Sequence, residues 1–288
     1  MSLLDGRHSR TRYLLVLLLL VYAAGRLLQL YEDRVPSLVI VALHVLPPAI
    51  FALIHGSIAY RLRGIVVFMV LCLGIGTLFE SLSLRTGFPF GHYYFTDLMG
   101  PKLLQLPVLL ALAYVGMGYL SWVVGLLILG HRSEPLYGRR VVLLPLIASF
   151  VMVAWDLSMD PVWTNIDHAW VWKNGGPYFG VPVSNFLGWY LTVYLFYQTF
   201  ALYLRRRVVL PLPPEHWRLA VLFYGVSAAG NLLIAAEPAM PAVVTDPSGR
   251  PWMASHIIAA CALVSIFVMG AFALTAWVRL SVSSRDSA

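Results

Sequence analysis

Residues 155–186 read WDLSMDPVWTNIDHAWVWKNGGPYFGVPVSNF, and the rest of the chain is organised around them. Three aspartates, a histidine, four tryptophans and a glycine-rich turn sit here between long apolar segments. Those flanking segments set the fold class. Of 288 residues, 60% are hydrophobic and only 11% charged, where a soluble domain carries about 25% charged residues. The apolar runs recur at about 20 residues, the length of helix that crosses the hydrocarbon of a bilayer. The composition therefore predicts an all-α polytopic membrane helix bundle, one transmembrane helical domain over 1–288. Apolar windows and turn signals divide it into eight transmembrane spans: 13–30, 37–60, 64–84, 103–129, 139–158, 182–204, 217–236 and 252–279.

The first span resembles a signal peptide, with Arg7, Arg10 and Arg12 before an apolar run. Gly25-Arg26-Leu27 is a poor cleavage site, however, and the apolar pattern continues to Leu30, so the segment reads as a retained helix. Fourteen of the 20 Lys and Arg residues fall in one set of loops. The other six, Arg26, Arg34, Arg85, Lys102, Lys173 and Arg250, fall in the opposite set. By the positive-inside rule both termini are cytoplasmic. Nine of the 13 acids, including Glu80, Asp97, Asp156, Asp160, Asp167 and Glu237, lie toward the non-cytoplasmic face of the cell membrane. The net charge of +7 thus belongs to short loops, not to a nucleic-acid-binding stripe, and the expected surroundings are membrane lipid. Cys72 and Cys261 sit inside apolar spans and read as small buried hydrophobes.

A second polar island, residues 80–102, pairs with the first as a candidate site. An ionisable group within a span is costly and usually functional; the plain alternative is an interfacial acid that anchors the bundle. Asp156 and Asp160 are four residues apart, which puts both carboxylates on one helix face. Pro161 disfavours helical geometry at the residue before it, which predicts that the helix ends at Asp160. Two close carboxylates resist simultaneous ionisation, so such a pair can retain one proton and serve as a general acid. Trp155, Trp163, Trp170, Trp172, Tyr178 and Phe179 surround these acids in sequence, and Phe88, Phe90, Tyr93, Tyr94 and Phe95 fill the other island. Aromatic faces stabilise cations, although an interfacial aromatic belt accounts for some of them.

His92 with Asp97, or His168 with Asp167 and Asp160, matches no familiar metal spacing. P-loop, GxGxxG and GxSxG patterns are missing as well, so neither a metal nor an organic cofactor is expected. Asn231, inside the seventh span, suits helix–helix hydrogen bonding. Asn185 lies nearer the island and suits the orientation of a water.

The segment FESLSLRTGFPFGHYYFTDLMGPKLLQLPV, residues 79–108, and the DLSMDP, WVW, GGPYFGVPVSNF and GW elements of 155–189 carry a resemblance. They resemble the CruF-type family of carotenoid biosynthesis proteins, the membrane carotenoid 1,2-hydratases. The resemblance implies addition of water to the terminal double bond of an acyclic carotenoid end, a hydro-lyase reaction without an organic cofactor. The acids fit that chemistry: Asp156 or Asp160 as proton donor, Glu80 and Asp167 as candidates for orienting water. Trp155, His92, Tyr93, Tyr94, Trp172, Tyr178, Phe179 and Asn185 are the expected substrate-binding residues. A carotenoid or isoprenoid substrate and other carotenoid-pathway enzymes are the expected partners. The alternatives are a terpene or carotenoid cyclase, a Mg-dependent prenyltransferase using Asp156 and Asp160, and a non-enzymatic transporter or membrane subunit.

Overall fold

A helix that is apolar on all sides must be buried in protein or in lipid, and the helices of this chain divide their surfaces between the two. The computed structural model describes residues 3–31, 34–103, 105–130, 135–205, 207, 210–234 and 242–285. Among the described residues eight helices follow one another: α1 (Leu3–Leu28), α2 (Ser37–Thr86), α3 (Val108–Ile128), α4 (Arg140–Asn165), α5 (Val183–Leu204), α6 (Pro214–Leu233), α7 (Ala254–Val264) and α8 (Gly270–Arg285). A π-helical stretch, Ser265–Met269, joins the last two into one rod. The described residues also form three two-stranded antiparallel ribbons, pairing β1 (Tyr93–Phe95) with β4 (Trp170–Trp172), β2 (Lys102–Leu103) with β3 (Leu106–Pro107), and β5 (Val243–Thr245) with β6 (Pro251–Met253).

Among the described residues, five stretches are long and apolar enough to cross a membrane: Ser9–Tyr31, Ser37–Thr86, Val108–Ile128, Arg140–Asn165 and Ala254–Val282. Their outward faces stay apolar, with Val70, Leu78, Phe150, Phe267 and Leu274 all more than half exposed. So much contiguous apolar surface marks contact with lipid. The protein is a multi-pass membrane helix bundle. The 50 residues of α2 would run about 75 Å if straight, over twice the hydrocarbon thickness of a bilayer. The helix instead breaks at Arg61, where φ is 59° and ψ 165°, into two arms that match the second and third expected spans. Helices α5 and α6, of 22 and 20 residues, are not among these five. The expectation of eight crossings is therefore finer than length and apolarity fix.

Helix α3 is central, with 83% of its apolar window buried inside the protein. Its glycines admit neighbouring backbones: a Cβ on Gly116 would lie 2.8 Å from the Ala49 nitrogen, and one on Gly125 3.1 Å from the Ala148 Cα. Close approach through small residues is how helices associate where no water drives them together.

Two prolines inside α4, Pro145 and Pro161, each remove the N–H that the carbonyl four residues earlier would accept. Both freed carbonyls find side-chain donors. Gln198 Nε2 donates to the Val141 oxygen at 3.1 Å, and the Tyr178 hydroxyl to the Leu157 oxygen at 3.1 Å. A backbone group left bare in a lipid environment is costly, so these caps let the helix run on to Asn165. This corrects the expectation that Pro161 ends it at Asp160. Tyr178→Phe is expected to lower stability by about 1–3 kcal/mol, read as a thermal shift in detergent. An unchanged melting temperature would refute the capping role.

Candidate active site

The two polar islands meet as a ribbon. Tyr93 pairs with Trp172, Tyr94 with Val171 and Phe95 with Trp170, and alternation along the strands turns Tyr93, Phe95, Trp170 and Trp172 inward. Tyr94 points outward and is 49% exposed. The chain enters β1 from a turn that caps α2. Gly87 adopts φ 82° and donates to the Ser83 oxygen, while Ser83 Oγ accepts from Phe90 N at 3.2 Å and donates to the Gly91 oxygen at 3.0 Å. Helix α5 presses on this turn through Gly188, where a Cβ would come within 2.7 Å of Phe90 Cδ1.

Below the ribbon lies a cavity of about 340 Å³, into which three carboxylates converge: Glu80 from α2, Asp156 and Asp160 from α4. Their exposures are 3%, 1% and 1%. The i,i+4 spacing does put both aspartates on one face, and Asn185 of α5 bridges them. Its Nδ2 donates to Asp156 Oδ2 at 3.0 Å and to Asp160 Oδ2 at 2.6 Å. Asp160 Oδ1 accepts from Trp170 Nε1 at 2.7 Å. Asp156 Oδ1 takes no hydrogen bond from a described residue. Glu80 is held at both oxygens, by the Tyr93 hydroxyl at Oε2 and the Tyr114 hydroxyl at Oε1, the latter at 2.7 Å. Burial first, and the Glu80 carboxylate second, push the Tyr93 hydroxyl well above the usual phenol range, so it remains a donor. Tyr114 stacks on Trp189 with centroids 4.5 Å apart and planes 8° from parallel. The Trp172 Nε1 is buried and directed toward the Asp160 carboxylate, without reaching full hydrogen-bond geometry.

Of the expected site residues, Glu80, Asp156, Asp160, Tyr93, Trp172 and Asn185 line this cavity. Trp155 lines an adjoining one. The structure does not bring the others in. His92 is exposed; Tyr178 packs on Phe186, and Phe179 on Trp252. Asp167 lies in the turn after α4, its N–H bonded to the Val162 oxygen. Asp97 pairs with Lys102 at 2.8 Å, and Glu237 is outside the described residues. No group of three or more His, Cys, Asp or Glu among the described residues is arranged to hold a metal ion. Tyr114, Trp189, Leu110 and Met159 are cavity or supporting residues that the sequence reading missed. The first three sit within long apolar helices, where an aromatic or leucine looks like any core residue.

A family model described as carotenoid biosynthesis protein matches residues 37–246. The chain belongs to this family. The matched segment of this carotenoid biosynthesis protein contains the ribbon, all three cavity carboxylates and Asn185. A curated relative, bisanhydrobacterioruberin hydratase of Haloarcula japonica, is 31% identical over 114 residues. That match covers 39% of this chain and 36% of the relative's own length. No solved structure matches.

The adjoining cavity holds about 550 Å³ and shares Leu110, Met159 and Trp170 with the first. Its lining includes Arg26 and Asn231. Charge counting places Arg26 on the outer side, near the end of the first span; in the structure it is part of α1 and only 7% exposed, drawn inward by its bond to Asn231 Oδ1. Asn231 also donates to Ser158 Oγ at 2.8 Å and Ser265 Oγ at 3.2 Å, the interhelical bonding expected of it. Cys72 and Cys261 are free and buried.

Proposed function

We propose that this protein is a cell-membrane carotenoid hydratase, a hydro-lyase-type enzyme adding water to the terminal C=C of an acyclic carotenoid end. The observation that carries this reading is the convergence of three buried carboxylates on one aromatic-walled cavity. Family membership and the name of the Haloarcula relative support it. Asp156 is the proton donor, because its Oδ1 alone among the oxygens of the aspartate pair takes no described hydrogen bond. Its proton passes to the less substituted alkene carbon, leaving a tertiary cation and a carboxylate. The faces of Phe90, Trp172 and Trp189 stabilise that cation through their quadrupoles. The Trp172 N–H, directed toward Asp160, orients a water between them, whose oxygen bonds to the cation and whose proton goes to Asp160. Exchange of that proton within the pair restores Asp156. One alkene and one water have become one tertiary alcohol, with no metal or organic cofactor needed.

The charge asymmetry favours an opening at the non-cytoplasmic face, with the polyene lying among lipid and other carotenoid-pathway enzymes as partners. The test is pigment analysis in a lycopene-producing bacterial host that expresses the protein. A more polar pigment heavier by one or two waters is expected, and it should survive EDTA. An unchanged mass with a shifted absorption band would replace this reading with cyclisation, in which an internal alkene captures the same cation. Dependence on Mg²⁺ and an isoprenyl diphosphate would replace it with prenyl transfer.

A further inference from the structure

The hydration steps leave one cavity carboxylate without a task. Glu80 reaches the cavity from α2 and is 3% exposed. Each of its oxygens accepts a phenol proton, Oε2 from Tyr93 and Oε1 from Tyr114 at 2.7 Å, so neither is placed to protonate an alkene. Donors at both oxygens are what a carboxylate needs to stay charged once water is gone. The same two phenols pack on the cavity walls. Tyr93 lies against Trp172 with centroids 4.8 Å apart, and Tyr114 is stacked on Trp189. Glu80 is thereby linked to two of the aromatic faces that surround the cation. No Lys, Arg or His among the described residues lines this cavity.

A buried anion without a basic partner is unfavourable, and positive charge entering the cavity relieves it. We propose that Glu80 is the fixed counter-charge of the tertiary cation, held in place by Tyr93 and Tyr114. This inference rests on the carotenoid hydratase reading. Proton transfer from Asp156 leaves a carboxylate and a cation. Glu80 is negative before and after that step, so its field favours the cation without any reorganisation. It is a positioned charge and carries no proton. A cavity built in this way binds the charged intermediate more tightly than the neutral alkene. The ligand class it prefers is then an isoprenoid whose end carries a permanent positive charge, a quaternary ammonium in place of the tertiary carbon.

The test is a binding titration on the purified protein in detergent. Two polyenes of equal length are compared, one ending in trimethylammonium and one in its uncharged isostere, a tert-butyl group. Trp170, Trp172 and Trp189 line the cavity, so either polyene quenches tryptophan fluorescence as it binds. The wild-type protein should bind the ammonium polyene about 10²-fold more tightly. Glu80→Gln should cut that ratio about tenfold and leave tert-butyl affinity within about twofold of wild type. Its amide accepts from one phenol and donates to the other, so the network keeps its shape and loses its charge. Hydration by this variant should fall about 10²-fold in kcat with KM unchanged. Tyr114→Phe loosens the network but keeps the charge, and should hold the ratio within about threefold of wild type. Equal affinities in the wild-type protein, or a ratio that survives Glu80→Gln, would overturn the proposal, and so would a ratio lost as fully in Tyr114→Phe. The hydratase reading would stand in each case on pigment mass. Unchanged pigment mass beside a Glu80-dependent ratio would overturn hydration but not the counter-charge, since cyclisation passes through the same cation. Quenching by neither polyene would overturn both.

Discussion

Asparagine in place of Asp156 should cut hydration by about 10³-fold, within the range that general acid catalysis contributes, while the protein still folds and inserts. The amide matches the carboxyl in shape, and its oxygen can keep the bond that Asn185 Nδ2 gives to Oδ2 at 3.0 Å. What it lacks is a transferable proton at the open Oδ1 position. Asp160→Asn should behave differently. Both of its oxygens accept, from Trp170 at 2.7 Å and Asn185 at 2.6 Å. An amide has one acceptor oxygen, so one buried donor must face an NH₂ group, and stability should fall by about 1–3 kcal/mol. Pigment yield per folded protein, read beside a thermal melt, separates the two. Full turnover in Asp156→Asn would remove it as the acid, and a stable but inactive Asp160→Asn would exchange their roles.

Removing the bridge should be nearly as severe. Asn185→Leu deletes the one amide nitrogen that donates to both aspartates and leaves two neighbouring carboxyl groups facing each other. Hydrogen bonds to charged groups each contribute about 1.5–3 kcal/mol, so a loss of about 3 kcal/mol is expected, with turnover down by about 10²-fold from misplacement of the acid. The double variant Asn185→Leu with Asp156→Asn should regain about 1–2 kcal/mol, because the new amide can itself donate to Asp160. Strictly additive losses in that cycle would show that Asn185 does not act as the bridge.

The membrane bundle was legible because it depends on composition and on run length alone. Apolar runs of crossing length, the break near Arg61 and the burial of Cys72 and Cys261 all follow from local pattern. The aspartate pair was legible for the same reason: an i,i+4 spacing fixes a shared face before any tertiary contact forms. Pro161 misled. Its steric demand on Asp160 predicts a helix end there, whereas the helix runs on with the Leu157 carbonyl satisfied by the Tyr178 hydroxyl, from a loop 17 residues beyond the proline. Tyr178 itself, expected from the sequence to bind substrate, serves this carbonyl and packs on Phe186.

By itself, then, the sequence determined the class of molecule, the two islands and the shared helix face of Asp156 and Asp160. Tertiary structure decided which residues of each island face inward, because strand alternation turns Tyr93 in and Tyr94 out only once β1 has found β4. It also brought in Tyr114 and Trp189 from helices that read as uniform core, and turned Arg26 inward to bond with Asn231, 205 residues away. Helical and strand periods act over a few neighbouring residues, whereas a cavity forms where distant segments pack together, and packing partners leave no periodic mark on the chain.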